Sequence, residues 1–216
     1  MEQSLFYSDI ESKTLSLLKH NAQNIMNQHT MRSPRAVGDA IQDFLADNFY
    51  VCISEELKSY RSDFERRSLE DFAFEIEDNY YAVDCKTHNV STHFNMPNLI
   101  SVERLARFYE NDNNFFMILL VEYDTDLIND RLVFNSCKFV PIEYMSWDCL
   151  TIGALRWGQI QIANSSRIVI DRNTSRKSWM LKLCDVMDAF YPLEIEKIQR
   201  RVSRFESVRS FWENHE

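Results

Sequence analysis

The stretch Glu70-Asp71-Phe72-Ala73-Phe74-Glu75-Ile76-Glu77-Asp78-Asn79-Tyr80-Tyr81-Ala82-Val83-Asp84-Cys85-Lys86 decides the reading of this chain. Polarity alternates from Asp71 to Glu77, the period of a half-buried strand. Asp78-Asn79 is a two-residue turn candidate, and Tyr80 to Lys86 reads as a second strand, so the stretch is predicted to be a β-hairpin. Folded about that turn, Asp71 opens the first strand and Asp84 and Lys86 end the second. Asp84 and Lys86 are two residues apart and share a face. Two carboxylates and an ammonium are therefore expected to converge.

Like charges brought together in a partly buried place repel unless a cation lies between them. Mg²⁺ suits oxygen ligands and keeps several of its waters, one of which can be activated to attack phosphorus. A lysine beside it can orient that water and offset charge on the transition state. The pattern thus fits phosphodiester hydrolysis, with Asp71 and Asp84 as metal ligands and Lys86 as the catalytic lysine. The same spacing is also met in a solvated hairpin with ordinary surface charges.

Working outward, Ser4 to Gln28 reads as an amphipathic helix. Ser33-Pro34 is an N-cap followed by a first-turn proline, opening a second helix to about Asn48. Tyr50 to Ser54 is a short apolar strand candidate. Asn98 opens a helix through Tyr109. Asn114 to Asp124 holds the most apolar run and should be a central strand. Arg131 to Ile142 and Ala154 to Ala163 are further strands, and two helices, Arg176 to Tyr191 and Pro192 to Trp212, end the chain. This order predicts an α/β (α+β) domain with a mixed central sheet flanked by helices.

The 216 residues suffice for one domain spanning 1–216, and with 3 Gly and 4 Pro no long flexible linker is expected. No apolar run is long enough to cross a membrane. The opening Met-Glu-Gln-Ser lacks a signal-peptide pattern, so a cytoplasmic protein is expected. Five cysteines, at 52, 85, 137, 149 and 184, show no metal-ligand spacing and read as free thiols. The net charge of −9 weighs against binding to phosphate. The distribution counts for more than the total, however, and residues 167 to 209 lean basic, with Arg172, Arg176, Lys177, Lys182, Lys197, Arg200, Arg201 and Arg204.

Asp71 together with Val83-Asp84-Cys85-Lys86-Thr87-His88-Asn89-Val90-Ser91 resembles the PD-(D/E)xK restriction endonucleases, in particular their HincII- and EcoRV-like branch. The likeness continues through Asn95-Met96-Pro97-Asn98-Leu99-Ile100-Ser101 and the helix Val37-Gly38-Asp39-Ala40-Ile41-Gln42-Asp43-Phe44-Leu45, and more weakly through Trp157-Gly158-Gln159-Ile160-Gln161-Ile162. It covers about half the chain, in patches. Two departures stand out: Glu70 replaces the proline of the motif's name, and the chain is shorter than HincII. The resemblance implies a restriction-endonuclease-like core and a homodimer in a prokaryotic cytoplasm. It also implies Mg²⁺-dependent cleavage of double-stranded DNA at a short palindromic site, with Asp71, Asp84 and Lys86 as the catalytic trio.

It further implies that the polar run Thr87, His88, Asn89, Ser91, Thr92, His93, Asn95 and Asn98 lies along the DNA. Such side chains bond phosphates and base edges. Gln159, Gln161 and Asn164 are a second set of candidate base readers; the plainer alternative for both sets is a wet surface. Asp39 on the second helix is a further candidate beside the metal, and Arg35 a candidate phosphate contact. Cys85, between the catalytic residues, is expected to point into the core. Two rival readings stay open: a repair or junction nuclease of the same fold, and a DNA-binding module without catalysis.

Overall fold

The computed structural model describes residues 2–25, 33–53, 56–64, 68–126, 128–129 and 131–215. Its elements are α1 (Glu2–Asn21), α2 (Pro34–Asn48), β1 (Leu57–Arg61), β2 (Phe72–Ile76), β3 (Asn79–Asn89), β4 (Asn98–Ser101), α3 (Val102–Phe108), β5 (Asn114–Asp126), β6 (Arg131–Pro141), β7 (Leu150–Gly153), β8 (Gln159–Ile162) and α4 (Arg176–Glu213). A five-stranded sheet runs β1-β2-β3-β5-β6, and a three-stranded one runs β4-β8-β7. β3 and β5 pair in parallel and every other neighbouring pair is antiparallel. The mixed sheet flanked by helices is the predicted α+β architecture.

The run Phe116 to Val121 is buried throughout because β5 is covered on both faces. Met117, Leu119 and Val121 face one core with Val83 and Cys85 of β3, Tyr7 and Ile10 of α1 and Val37, Ile41 and Leu45 of α2. Phe116, Ile118 and Leu120 face the other, with Ile160 and Ile162 of β8, Leu105 of α3 and Trp179 and Leu183 of α4. Cys85 is buried, and all five cysteines are free thiols. Among the described residues no helix is long and apolar enough to cross a membrane.

Several expectations need correction. The hairpin turn is Glu77-Asp78, one residue earlier than predicted, because Ile76 pairs with Asn79; Glu77 takes a positive φ of 51° there. Phe49 to Cys52 is a 3₁₀ turn that tightens the end of α2, not a strand; a short apolar run carries no period to tell the two apart. The edge strand β1 went unread because its sequence, Leu-Lys-Ser-Tyr-Arg, is polar, as suits a strand at a sheet's margin. Asn98 starts a strand rather than a helix: β4 pairs with β8 over a long sequence distance, and α3 begins only at Val102.

The predicted strand Ala154 to Ala163 is a turn followed by β8, which returns along β7. Arg156, Trp157 and Gly158 all have positive φ in that turn. The helix predicted to run to Gln28 ends at Asn21, with a turn to Ile25; the rest of that span lies outside the described residues, as does Ser54. The two terminal helices are one, α4, 38 residues long with Pro192 inside it. Proline costs a helix one backbone hydrogen bond and bends it, which an exposed helix tolerates.

Candidate active site

β2 begins only at Phe72, opposite Val83, while β3 runs on to Asn89, so the second half of β3 has no strand on its β2 side. Asp71 stands at that step. Its N–H donates to the Val83 carbonyl at 2.8 Å, and its Oδ2 accepts from the Cys85 N–H at 2.7 Å. The carboxylate therefore takes the place of the ladder partner that β2 no longer supplies. Glu70, the residue before Asp71, accepts from the Tyr80 hydroxyl at 3.0 Å. Glu75 accepts from Ser59 Oγ and is solvent-exposed, away from the trio.

Asp84 and Lys86 share the β3 face that looks towards the second core. Lys86 Nζ donates to Asp84 Oδ1 at 2.5 Å, and both side chains are largely buried. Burial above all, with the nearby Asp71 charge, outweighs the pull of Lys86 and pushes the Asp84 carboxyl up to about 7. Burial opposes the charge on Lys86, but Asp84 and Asp71 together hold its ammonium above the ordinary value. The three predicted groups are thus close enough to feel one another.

The donor set fits a hard, oxygen-seeking cation. Asp84 Oδ2 is buried with no hydrogen-bond partner, and such a group costs stability unless something pairs with it. Among the described residues no group of three or more His, Cys, Asp or Glu side chains surrounds a common point. Two carboxylates with room for water suit Mg²⁺ better than a fully protein-liganded ion.

α2 closes the cleft. Gly38 packs so tightly on β3 that a Cβ there would lie 2.8 Å from Thr87 Oγ1. This approach lines Lys86, Thr87, His88, Asn89, Thr92 and Asn95 along one cleft opposite Arg35, Asp39 and Gln42. Arg35, Asp39 and Gln42 also border the adjoining cleft that holds Asp71, with Ser62, Phe64 and Ser68. Gln42 and the three residues between β1 and β2 were not anticipated. A lone glycine inside a helical pattern was the available signal, since it marks close approach of another element.

The polar segments form one surface. Ile162 N–H donates to the Pro97 carbonyl at 3.0 Å and Ser165 N–H to that of Asn95 at 2.8 Å, tying the 92–98 loop to the segment after β8. Many of the side chains named for DNA contact are already engaged. Asn89 is buried and its Oδ1 accepts from both the N–H and the hydroxyl of Ser91. His88 is buried, with Nε2 at 3.3 Å from Ser166 Oγ, and burial lowers its pKa against the opposing pull of Glu122. Gln159 is buried in β8. Gln161 donates to Asn98 Oδ1 at 2.6 Å, and Asn164 Oδ1 accepts from the Ser166 N–H. Thr87, Thr92 and Asn95 border the cleft, while Ser91 and His93 are exposed.

The basic stretch near the C-terminus is less free than its composition implies. Arg172 pairs with Glu11 and Arg176 with Glu143, while Lys182, Lys197 and Arg200 pair with Asp185, Glu194 and Glu196. Charges satisfied in this way add little to a phosphate-binding field. No protein-family model matches this chain, and no curated protein matches it either.

Proposed function

We propose that this chain is a Mg²⁺-dependent endonuclease of the PD-(D/E)xK type that hydrolyses phosphodiester bonds of double-stranded DNA. One observation carries the reading: Asp71, bonded to the Cys85 N–H just before β2 begins, lies near enough to the Lys86-paired Asp84 for its charge to be felt there, and Asp84 Oδ2 is buried and unpaired. Asp71 and Asp84 hold the cation. When bound, Mg²⁺ supplies a Lewis acid for the phosphoryl oxygens and a water of lowered pKa. Lys86, fixed by Asp84, orients the attacking water and offers its ammonium to the charge that develops at phosphorus. The cleft against α2 receives the backbone, with Arg35, Thr87, Thr92 and Asn95 within reach of phosphates.

A short palindromic target, and hence a type II restriction enzyme acting as a homodimer in a prokaryotic cytoplasm, follows from the family resemblance. Incubating the protein with plasmid-sized DNA and Mg²⁺, beside Asp84→Ala and a chelator, tests this. Discrete bands from the wild type alone are expected, and no cleavage under any divalent metal refutes the reading. The prior engagement of Asn89, Gln159, Gln161 and Asn98 favours a second reading, a repair or junction nuclease with little base selection. It would give a smear lost in Asp84→Ala.

A further inference from the structure

The second half of α4 has no part in the cleft. α4 is seated on the body by Trp179, Leu183 and Met187, which are buried. From Tyr191 onward its side chains stand in solvent, apart from the half-buried Glu194 and Val208. Tyr191, Ile195, Ile198, Val202, Phe205 and Trp212 are each at least 40% exposed. Together with Arg209 they recur at alternating steps of four and three residues. That is the heptad seam: Ile195, Val202 and Arg209 fall at a, and Tyr191, Ile198, Phe205 and Trp212 at d. Its mean period of about 3.5 residues drives two helices to supercoil left-handedly. A helix that packs on its own domain buries its stripe; this stripe is uncovered by the described chain.

We propose that the seam pairs in parallel with the same seam of a second copy of this chain, forming a two-stranded coiled coil. β-Branched residues stand at two of the a positions, Ile195 and Val202, and the aromatic d positions Tyr191, Phe205 and Trp212 depart from the all-isoleucine seam that favours three or four strands. The flanking charges complement one another between identical copies. Arg201 falls at g and Glu206 at the following e, so in a parallel pair Arg201 of each copy faces Glu206 of the other. Among the described residues neither forms an ion pair in its own chain, whereas Lys197 with Glu194 and Arg200 with Glu196 do so on the same segment. Arg209, a lone charged residue at a, fixes register at some cost in stability. Pro192 lies where the helix leaves the body, which lets the free half bend towards a partner. The pairing is independent of the nuclease reading, since a chain without catalysis would associate in the same way.

Sedimentation equilibrium of the full chain across the micromolar range tests the proposal. The expected mass is twice 25.7 kDa. Ile198→Asp buries an unpaired charge in the seam and is expected to weaken association by about 100-fold or more, with the circular dichroism and melting of the body unchanged. Arg201→Glu alone should weaken the dimer, and Arg201→Glu combined with Glu206→Arg should restore it. A wild-type chain that stays monomeric overturns the proposal, and so does capture of a different helical partner by that monomer. A dimer that survives Ile198→Asp overturns it as well, as does a charge swap that fails to restore pairing.

Discussion

Asp71 accepts a hydrogen bond from the Cys85 N–H at 2.7 Å, so one carboxylate both completes a sheet ladder and faces the Asp84–Lys86 pair. Architecture and proposed chemistry share a residue here. The ladder bond fixes where the carboxylate sits, and the remaining oxygen is the one that can take a cation. Substitutions at Asp71 can therefore separate the two roles.

Asp71→Ala leaves the Cys85 N–H without an acceptor and should cost about 1–3 kcal/mol. Asp71→Asn keeps an amide oxygen for that bond and should cost less than about 1 kcal/mol. Both remove the negative charge and should lower cleavage by about 1,000-fold or more. Denaturant titration beside single-turnover cleavage checks this. Equal stability losses in the two variants would deny the ladder role, and a fully active Asp71→Asn would deny the catalytic one.

Asp84 should link proton release to cation binding. Its folded pKa of about 7 lies above the ordinary value of 3.8, so the folded chain holds an extra proton between those values. Stability of the metal-free protein from this group is therefore present at low pH and lost as pH rises through that window. Mg²⁺ needs the carboxylate, so binding near pH 7 should release a fraction of a proton and binding well above it none. Calorimetric titration in buffers of different ionisation enthalpy measures the release. Asp84→Asn should abolish it.

Much of this arrangement was legible in the sequence. The alternation of Asp71 to Glu77, the spacing of Asp84 and Lys86 and the apolar run of β5 are local patterns, and local patterns report local structure. The turn slipped by one residue because Glu77 adopts a left-handed conformation that its side chain does not advertise. β1 shows no strand signal because its sequence is polar, and Asn98 to Ser101 reads as the start of a helix because the partner that makes it a strand, β8, lies far along the chain. The state of Asn89, His88 and Gln159 was hidden for a related reason: polar side chains look alike in sequence whether they face a cleft or satisfy a turn. Asp39 and Arg35 marked α2 as part of the site, and its close approach to β3 is signalled by Gly38.

Arg176 should behave as a structural residue rather than a phosphate contact. Its Nε donates to Glu143 Oε1 at 3.1 Å and its Nη1 to the Asp112 carbonyl at 3.0 Å, and its guanidinium lies over the Tyr109 and Phe115 rings. Glu143 is buried, and Arg176 is its charge partner. Arg176→Ala should cost about 3–5 kcal/mol. The salt dependence of DNA binding by the folded variant should match that of the wild type, because a lost phosphate contact would lower its slope. A shallower slope with unchanged stability would return Arg176 to the DNA surface.

Gly38 and Thr87 provide the test of whether α2 belongs to the site. Alanine normally stabilises a helix interior by about 0.5–1 kcal/mol over glycine. At Gly38 the new Cβ would meet Thr87 Oγ1 at 2.8 Å, and either the threonine rotates or α2 lifts from β3. Overpacking of this kind costs about 1–3 kcal/mol, so Gly38→Ala should destabilise on balance. Lifting α2 would also draw Arg35, Asp39 and Gln42 back from Lys86 and slow cleavage. Gly38→Ala with Thr87→Ala removes the clash and should recover both stability and rate beyond additivity. If the single variant is stabilised and cleaves normally, α2 does not depend on that contact to hold its place at the cleft.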